Sequence, residues 1–331
     1  MKGHFSAVLL LTIVLVAGSI QFSVLNCHAW SNGGFSDDPN TPDYGTHDWI
    51  AQHALDWVPY AEKQYISGNL AAYLYGTELP DNRQASDGIG DTSLHHVYFN
   101  SSKELTDDAA ARRAASEFNN TLGKLEAQDY KGAAENAGIM THYIADLAVF
   151  AHVMGATTDW GKEANHSLFE DSANGYTSSY DSAFTRYLVY DGSLVEIPAY
   201  RAAVMLAYET TFDNMTYTAV WMDQHYSWND PRFMDRVGEL LNLAVNYIAD
   251  VLHTLSVQAG LSGSPPISLP GSPLPVPLWF VGVAVAVVAV LAVIGLMRGR
   301  PRRSRGKLVR LSNPVFNDTS SLLRCTKRYF S

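Results

Sequence analysis

The 331-residue chain has only two cysteines, Cys27 and Cys325, and both fall near its ends. Residues 30–277 contain none, so no disulfide can brace that stretch, and bound metal is a plausible substitute staple. The same stretch is poor in positive charge. It holds twelve Lys or Arg against 32 Asp or Glu, a formal balance of −20. A surface of that sign repels nucleic-acid phosphates over most of its area. Alternating runs of β-branched residues are missing, and no segment recurs with a period of 20–50 residues. These absences argue against a β-sandwich and a solenoid.

Long uncharged apolar runs occur only towards the two ends. Lys2, the apolar Ala7–Ala17 and the small-residue site Cys27-His28-Ala29 read as a secretory signal over residues 1–29. Leu278–Met297 carries no charge and is long enough to cross a bilayer as a helix, with Trp279 at its outer edge. Arg298, Arg300, Arg302, Arg303, Arg305, Lys307 and Arg310 follow at once. By the positive-inside rule, the basic tail 298–331 is cytoplasmic and everything before residue 278 faces outward. Residues 259–277, rich in Pro, Gly and Ser, read as a semi-extended stalk. Glycosylation sequons stand at Asn100, Asn119, Asn165 and Asn214.

Residues 30–258 are expected to form one all-α domain. Helical spacing of apolar residues covers 47–65, 68–76, 107–127, 130–154, 182–211 with a break at Pro198, and 231–256, and another helix begins at His166. Residues 77–92 carry the Pro, Asn, Asp and Gly of a loop.

Within this domain runs the pattern His142-x3-Asp146-x5-His152-x13-His166-x3-Glu170. Imidazole and carboxylate at i and i+4 share one face of a helix, and the arrangement occurs twice. His142 and Asp146 can hold one metal, and His152, His166 and Glu170 a second. Nitrogen and oxygen donors of this kind suit zinc, and three protein ligands with an open position are usual for catalytic zinc. Two such ions form a clamp for phosphate hydrolysis and lower the pKa of a bound water to about 7.

These residues, with their gaps of three, five, thirteen and three, resemble the zinc-dependent phospholipase C family of secreted bacterial enzymes, which shares its fold with the S1/P1 nucleases. His47-Asp-Trp-Ile-Ala-Gln-His-Ala-Leu resembles the family's first-helix segment, and His96-Val-Tyr follows Asp81 by fifteen residues. The resemblance implies an all-α phospholipase C/P1 nuclease-like fold and three zinc ions. His96, His142 and Asp146 resemble the first ligand set, and His152, His166 and Glu170 the second. Trp30, His47 and the bridging Asp146 resemble the third, in which the amine of Trp30, freed by cleavage after Ala29, serves as a ligand. An α-amine with a reference pKa of about 7.7–8.0 can yield its proton to a metal near neutral pH. Asp81 resembles a general base in the lipases and a metal ligand in the nucleases. His95 competes with His96, and the aromatic Tyr98 two positions on favours His96.

The pattern also departs from the family. Where the lipases place an acidic residue and two aromatics around choline, this chain offers Gly33, Asn82 and Ser93, and Phe150 stands near a customary proline. The implied function is a surface-anchored phosphodiesterase acting on phospholipid. The alternatives are an extracellular nuclease, for which Trp160, Tyr176 and Tyr180 are available aromatics, and a non-catalytic metal-stabilised surface module. Glu170, where nucleases usually carry Asp, favours lipid.

Overall fold

A computed structural model describes residues 36, 38–91, 93–213 and 216–262. The expected signal, Trp30, Gly33, the apolar run 278–297 and the basic tail lie outside the described residues, as does all but the start of the stalk. The chain divides into two units, 1–272 and 273–331, and every described residue belongs to the first.

The described residues are all-α. The helices are α1 (Thr46–Trp57), α2 (Tyr60–Ser67), α3 (Leu70–Glu78), α4 (Ala109–Glu126), α5 (Tyr130–Ala145), α6 (His166–Thr177), α7 (Ala199–Phe212), α8 (Ala219–Gln224) and α9 (Pro231–Gln258). A single antiparallel hairpin joins β1 (Tyr98–Phe99) to β2 (Leu105–Asp107), turning at Lys103 with φ of 64°. No strand was expected there, because two- and three-residue strands leave no periodic signal.

The helix expected over 47–65 is two helices. Pro59 has no N–H to donate and restricts the residue before it, and Val58 is extended at φ −81°, ψ 132°. Residues 188–198, expected as helix, instead run along α9. The N–H groups of Val189, Asp191, Val195 and Ile197 donate to the side chains of Asn242, Asn246, Asp250 and Thr254. Those four acceptors recur every fourth residue, so one face of α9 replaces a helix's own hydrogen bonds. Helix α9 is long and apolar enough to cross a membrane by length and composition, but most of it is buried in the core of this domain.

Helix α5 is the central element, buried along most of its length. It approaches α3 through glycines. A Cβ on Gly138 would lie 2.0 Å from the Tyr73 carbonyl oxygen, and one on Gly76 would lie 2.1 Å from that of Glu135. This close approach brings the Thr77 carbonyl of α3 within 2.6 Å of His142 Nδ1 on α5.

Candidate metal centre

At Asp146 the α-helix stops. Two short 3-10 turns follow, Asp146–Ala148 and Phe150–Val153, with Val149 extended between them. This break matters for the chemistry. On a continuous helix, ten residues turn about 1000° and rise about 15 Å, which would point His152 away from His142 and Asp146. The interruption brings all three together. The Thr210 hydroxyl of α7 donates to the Leu147 carbonyl at 2.6 Å and supports the turn. Phe150, in the second turn, is fully buried against Phe169 with ring centroids 5.0 Å apart.

Asp146 stands at the centre of the cluster. Its Oδ1 lies 3.3 Å from His47 Nε2 and 3.8 Å from His152 Nε2. Its Oδ2 lies 2.6 Å from His95 Nδ1 and 3.2 Å from His142 Nε2. His47, from the first turn of α1, stacks on His142 with ring centroids 3.9 Å apart. Asp81 follows α3 in the 77–92 loop, with Oδ1 3.8 Å from His95 Nε2 and Oδ2 3.8 Å from His142 Nε2. His152 Nε2 is 3.3 Å from Glu170 Oε1, and His166 Nε2 is 2.8 Å from the same oxygen. Three compact donor groups result: His47, His142 and Asp146; Asp81, His95 and His142; and His152, His166 and Glu170.

The structure corrects the sequence expectation at one position. His95, not His96, faces the cluster. Residues 95–100 alternate buried and part-exposed, as extended backbone requires, so His95, Val97 and Phe99 point inward. His96 and Tyr98 share the outer side and stack at 4.3 Å, and His96 Nε2 pairs with Asp107 at 3.2 Å. The aromatic that favoured His96 is therefore its neighbour on the outer face. The apolar Val97 and Phe99 carried the opposite, correct signal.

Burial and charge set the ionisation of the cluster without metal. Burial, together with the charge of His142, pushes His47 down to about 3, and burial also holds His152 well below its usual value. Burial disfavours a charged His95, but its bond to Asp146 and the charges of Asp146, Asp81 and Asp91 more than offset this, holding it at about 9. Burial pushes Glu170 up to about 8. It resists ionisation of Asp146 too, yet the His142 and His152 charges and the close approach of the His142 and His47 rings keep that carboxyl well below the carboxylate range.

A fit test for metal comes from unsatisfied atoms. Six buried polar atoms of the cluster have no hydrogen-bond partner: His47 Nδ1 and Nε2, His95 Nε2, Asp146 Oδ1, His152 Nε2 and Glu170 Oε2. Each orphaned buried group costs about 1–3 kcal/mol, and folded proteins seldom keep several together. All six belong to imidazoles or carboxylates, the donors that zinc takes. The His and Asp clusters suit metal binding.

A sequence profile described as zinc dependent phospholipase C matches residues 46–241. The chain belongs to the zinc-dependent phospholipase C family. That family is one of metal-dependent hydrolases, and the matched span carries every ligand candidate except Trp30. No curated protein sequence matches the chain. Among solved structures, the alpha toxin from Clostridium absonum is 16% identical at a TM-score of 0.44, covering 68% of this chain and 65% of that one. The alpha-toxin from an avian strain of Clostridium perfringens is 17% identical at a TM-score of 0.44, covering 67% and 65%. The chain thus spans about 65% of the length of these two proteins.

Two departures from the family pattern gain a physical account. Asn82 is fully buried, and its Oδ1 accepts from the N–H groups of Gln84 and Ala85 while its Nδ2 donates to the Ser36 carbonyl. It shapes the Asp81 loop and is committed to backbone, not to a headgroup. Ser93 is exposed, and its N–H donates to Asp91.

Proposed function

We propose that the protein is a zinc-dependent phosphodiesterase of phospholipase C type, held at the outer face of a membrane by residues 278–297, that hydrolyses the glycerol–phosphate bond of a phospholipid. The observation that carries this reading is the set of six unsatisfied donor atoms converging around Asp146 and Glu170. One ion would be held by His95, His142 and Asp146, and a second by His152, His166 and Glu170. A third would be held by His47 and Asp146 with the terminal amine and carbonyl of Trp30. Zinc at such sites supplies Lewis acidity to phosphoryl oxygens and lowers the pKa of water.

The remaining chemistry falls to the chain. Asp81 lies beside the ring nitrogens of both His95 and His142, where its carboxylate can take the proton of the attacking water. The acidic exterior and a tether of nineteen residues, 259–277, favour a lipid surface over a nucleic acid, since tethering raises the local lipid concentration. With Asn82 serving the loop, no choline-type aromatic box is offered by the described residues considered for it, so a headgroup other than choline is expected.

The nuclease alternative needs aromatic faces for stacking bases. The candidates are already engaged. Tyr176 stacks on Trp228, Tyr180 stacks on His53 and donates to Asp56, and Trp160 packs edge-on against Phe212. Parallel assays of the full chain on phospholipid vesicles of several headgroups and on single-stranded DNA, with and without chelator, test the proposal. Chelator-sensitive release of a phosphorylated headgroup supports it. Cleavage of DNA alone favours the nuclease, and tight metal without any hydrolysis favours a non-catalytic module.

A further inference from the structure

His166 has a second carboxylate, one outside the candidate ligand set, on its far side. His166 opens α6, and its Nε2 lies 2.8 Å from Glu170 Oε1, towards His152, whose ring meets it edge-on with centroids 4.8 Å apart. Its Nδ1 points the other way, 3.4 Å from Glu163 Oε1. Both side chains are largely withdrawn from solvent, at 13% and 11% exposure. A neutral imidazole carries one proton. For Nε2 to offer a lone pair beside Glu170, the proton must sit on Nδ1, and ligating histidines nearly always donate that second N–H to a carboxylate, a carbonyl or water. At His142 the Thr77 carbonyl lies on Nδ1. At His166 the Glu163 carboxylate lies in range of Nδ1.

The backbone between the two residues is fixed from outside. Asp223, on α8, accepts the N–H of Ala164 at 3.1 Å through both oxygens and the N–H of Asn165 at 3.0 Å. The Asn165 amide adds two further bonds, to the Asp223 carboxylate at 3.1 Å and to its carbonyl at 3.0 Å. One aspartate therefore sets the two residues that separate Glu163 from His166.

We propose that Glu163 is a positioning residue for the His152, His166 and Glu170 group, holding His166 as the Nδ1–H tautomer with Nε2 turned to the metal, and that Asp223 fixes the segment through which Glu163 acts. This inference rests on the metal-binding reading of that group.

The test compares the full chain with its E163A, E163Q and D223N variants. Metal content per chain is measured by mass spectrometry, the half-time of zinc removal by a competing chelator is followed, and the tautomer of His166 is read from its ring-nitrogen NMR shifts in the zinc-loaded protein. E163A is expected to lose one zinc about 10–100-fold more readily, while the other two are retained. E163Q, whose amide oxygen still accepts from Nδ1, should recover much of that loss, and D223N should fall between them. E163A that keeps wild-type zinc content, wild-type removal kinetics and the same tautomer would overturn the proposal. If E163A does not fold, E163Q and D223N decide it, because wild-type removal kinetics in both would likewise overturn it. Wild-type protein that binds no zinc at all would instead sink the metal reading beneath it, and the inference with it.

Discussion

Stripping metal from the protein should cost much of its stability, and the size of the loss can be worked from the six unsatisfied atoms. The His47 ring can turn only one of its two nitrogens to the cluster, so metal can relieve five of these atoms, which at about 1–3 kcal/mol each amounts to roughly 5–15 kcal/mol. Water entering the emptied centre would relieve part of that, so about 5 kcal/mol is a conservative loss. A domain of this size shifts its melting temperature by about 2–4 °C per kcal/mol. Chelation should therefore lower the melting temperature by roughly 10–20 °C, and added zinc should restore it in proportion to the logarithm of free metal. Differential scanning calorimetry, with dipicolinate and then with zinc, measures both. A transition indifferent to chelator and zinc, in protein shown to be metal-free throughout, would refute the reasoning, because the centre would then be stable with its donors unpaired.

Further outcomes follow from the geometry. His95→Ala should remove about one zinc per chain and abolish hydrolysis, whereas His96→Ala, which loses a part-exposed pair with Asp107 worth about 0–1 kcal/mol and a stack on Tyr98 outside the cluster, should leave both near wild type. Zinc titrated into metal-free protein at pH 7 should release about three protons, from Glu170 near 8, His95 near 9 and the Trp30 amine at its reference pKa of about 7.7–8.0, and none from His47 or His152, which are already neutral. Calorimetry in buffers of different ionisation enthalpy counts them, and no release at pH 7 would contradict the assignment. In metal-free protein His47 holds a pKa near 3 against 6.5 when unfolded, so the unfolded chain binds more protons between those values. Its contribution to stability should be intact above pH 6.5 and shrink as pH falls towards 3, which denaturant titrations across that range will show. Gly138→Ala forces a methyl to within 2.0 Å of the Tyr73 carbonyl oxygen and should cost about 1–3 kcal/mol, read as a lowered urea midpoint. Weaker zinc retention should accompany it, because the carbonyl that orients His142 moves away.

Most of the helices were legible because their apolar faces repeat every three to four residues over ten or more positions. What was not legible has local causes. The segment 188–198 looked helical by composition, but its hydrogen bonds go to a row of side chains on α9 that only tertiary packing reveals. The break at Asp146 leaves no proline or glycine to mark it, yet it lets His152 join a cluster that a straight helix would deny it. At the site, His47, Asp81, His142, Asp146, His152, His166 and Glu170 were picked out from spacing and resemblance, and the structure gathers them together. His95 was weighed and passed over for His96 because adjacent histidines differ only in which side of an extended backbone they occupy. Glu163 and Asp223 carry no motif, since their importance comes from what they touch.

If His47, Asp81, His95, His142, Asp146, His152, His166 and Glu170 surround closely spaced zinc ions, anomalous diffraction at the zinc absorption edge, from crystals of the zinc-loaded protein, will locate them. Separate peaks are expected beside Asp146 and beside Glu170, each bounded by those histidines. Crystals with no anomalous density within that cluster, grown from protein that retains its fold, would contradict this arrangement.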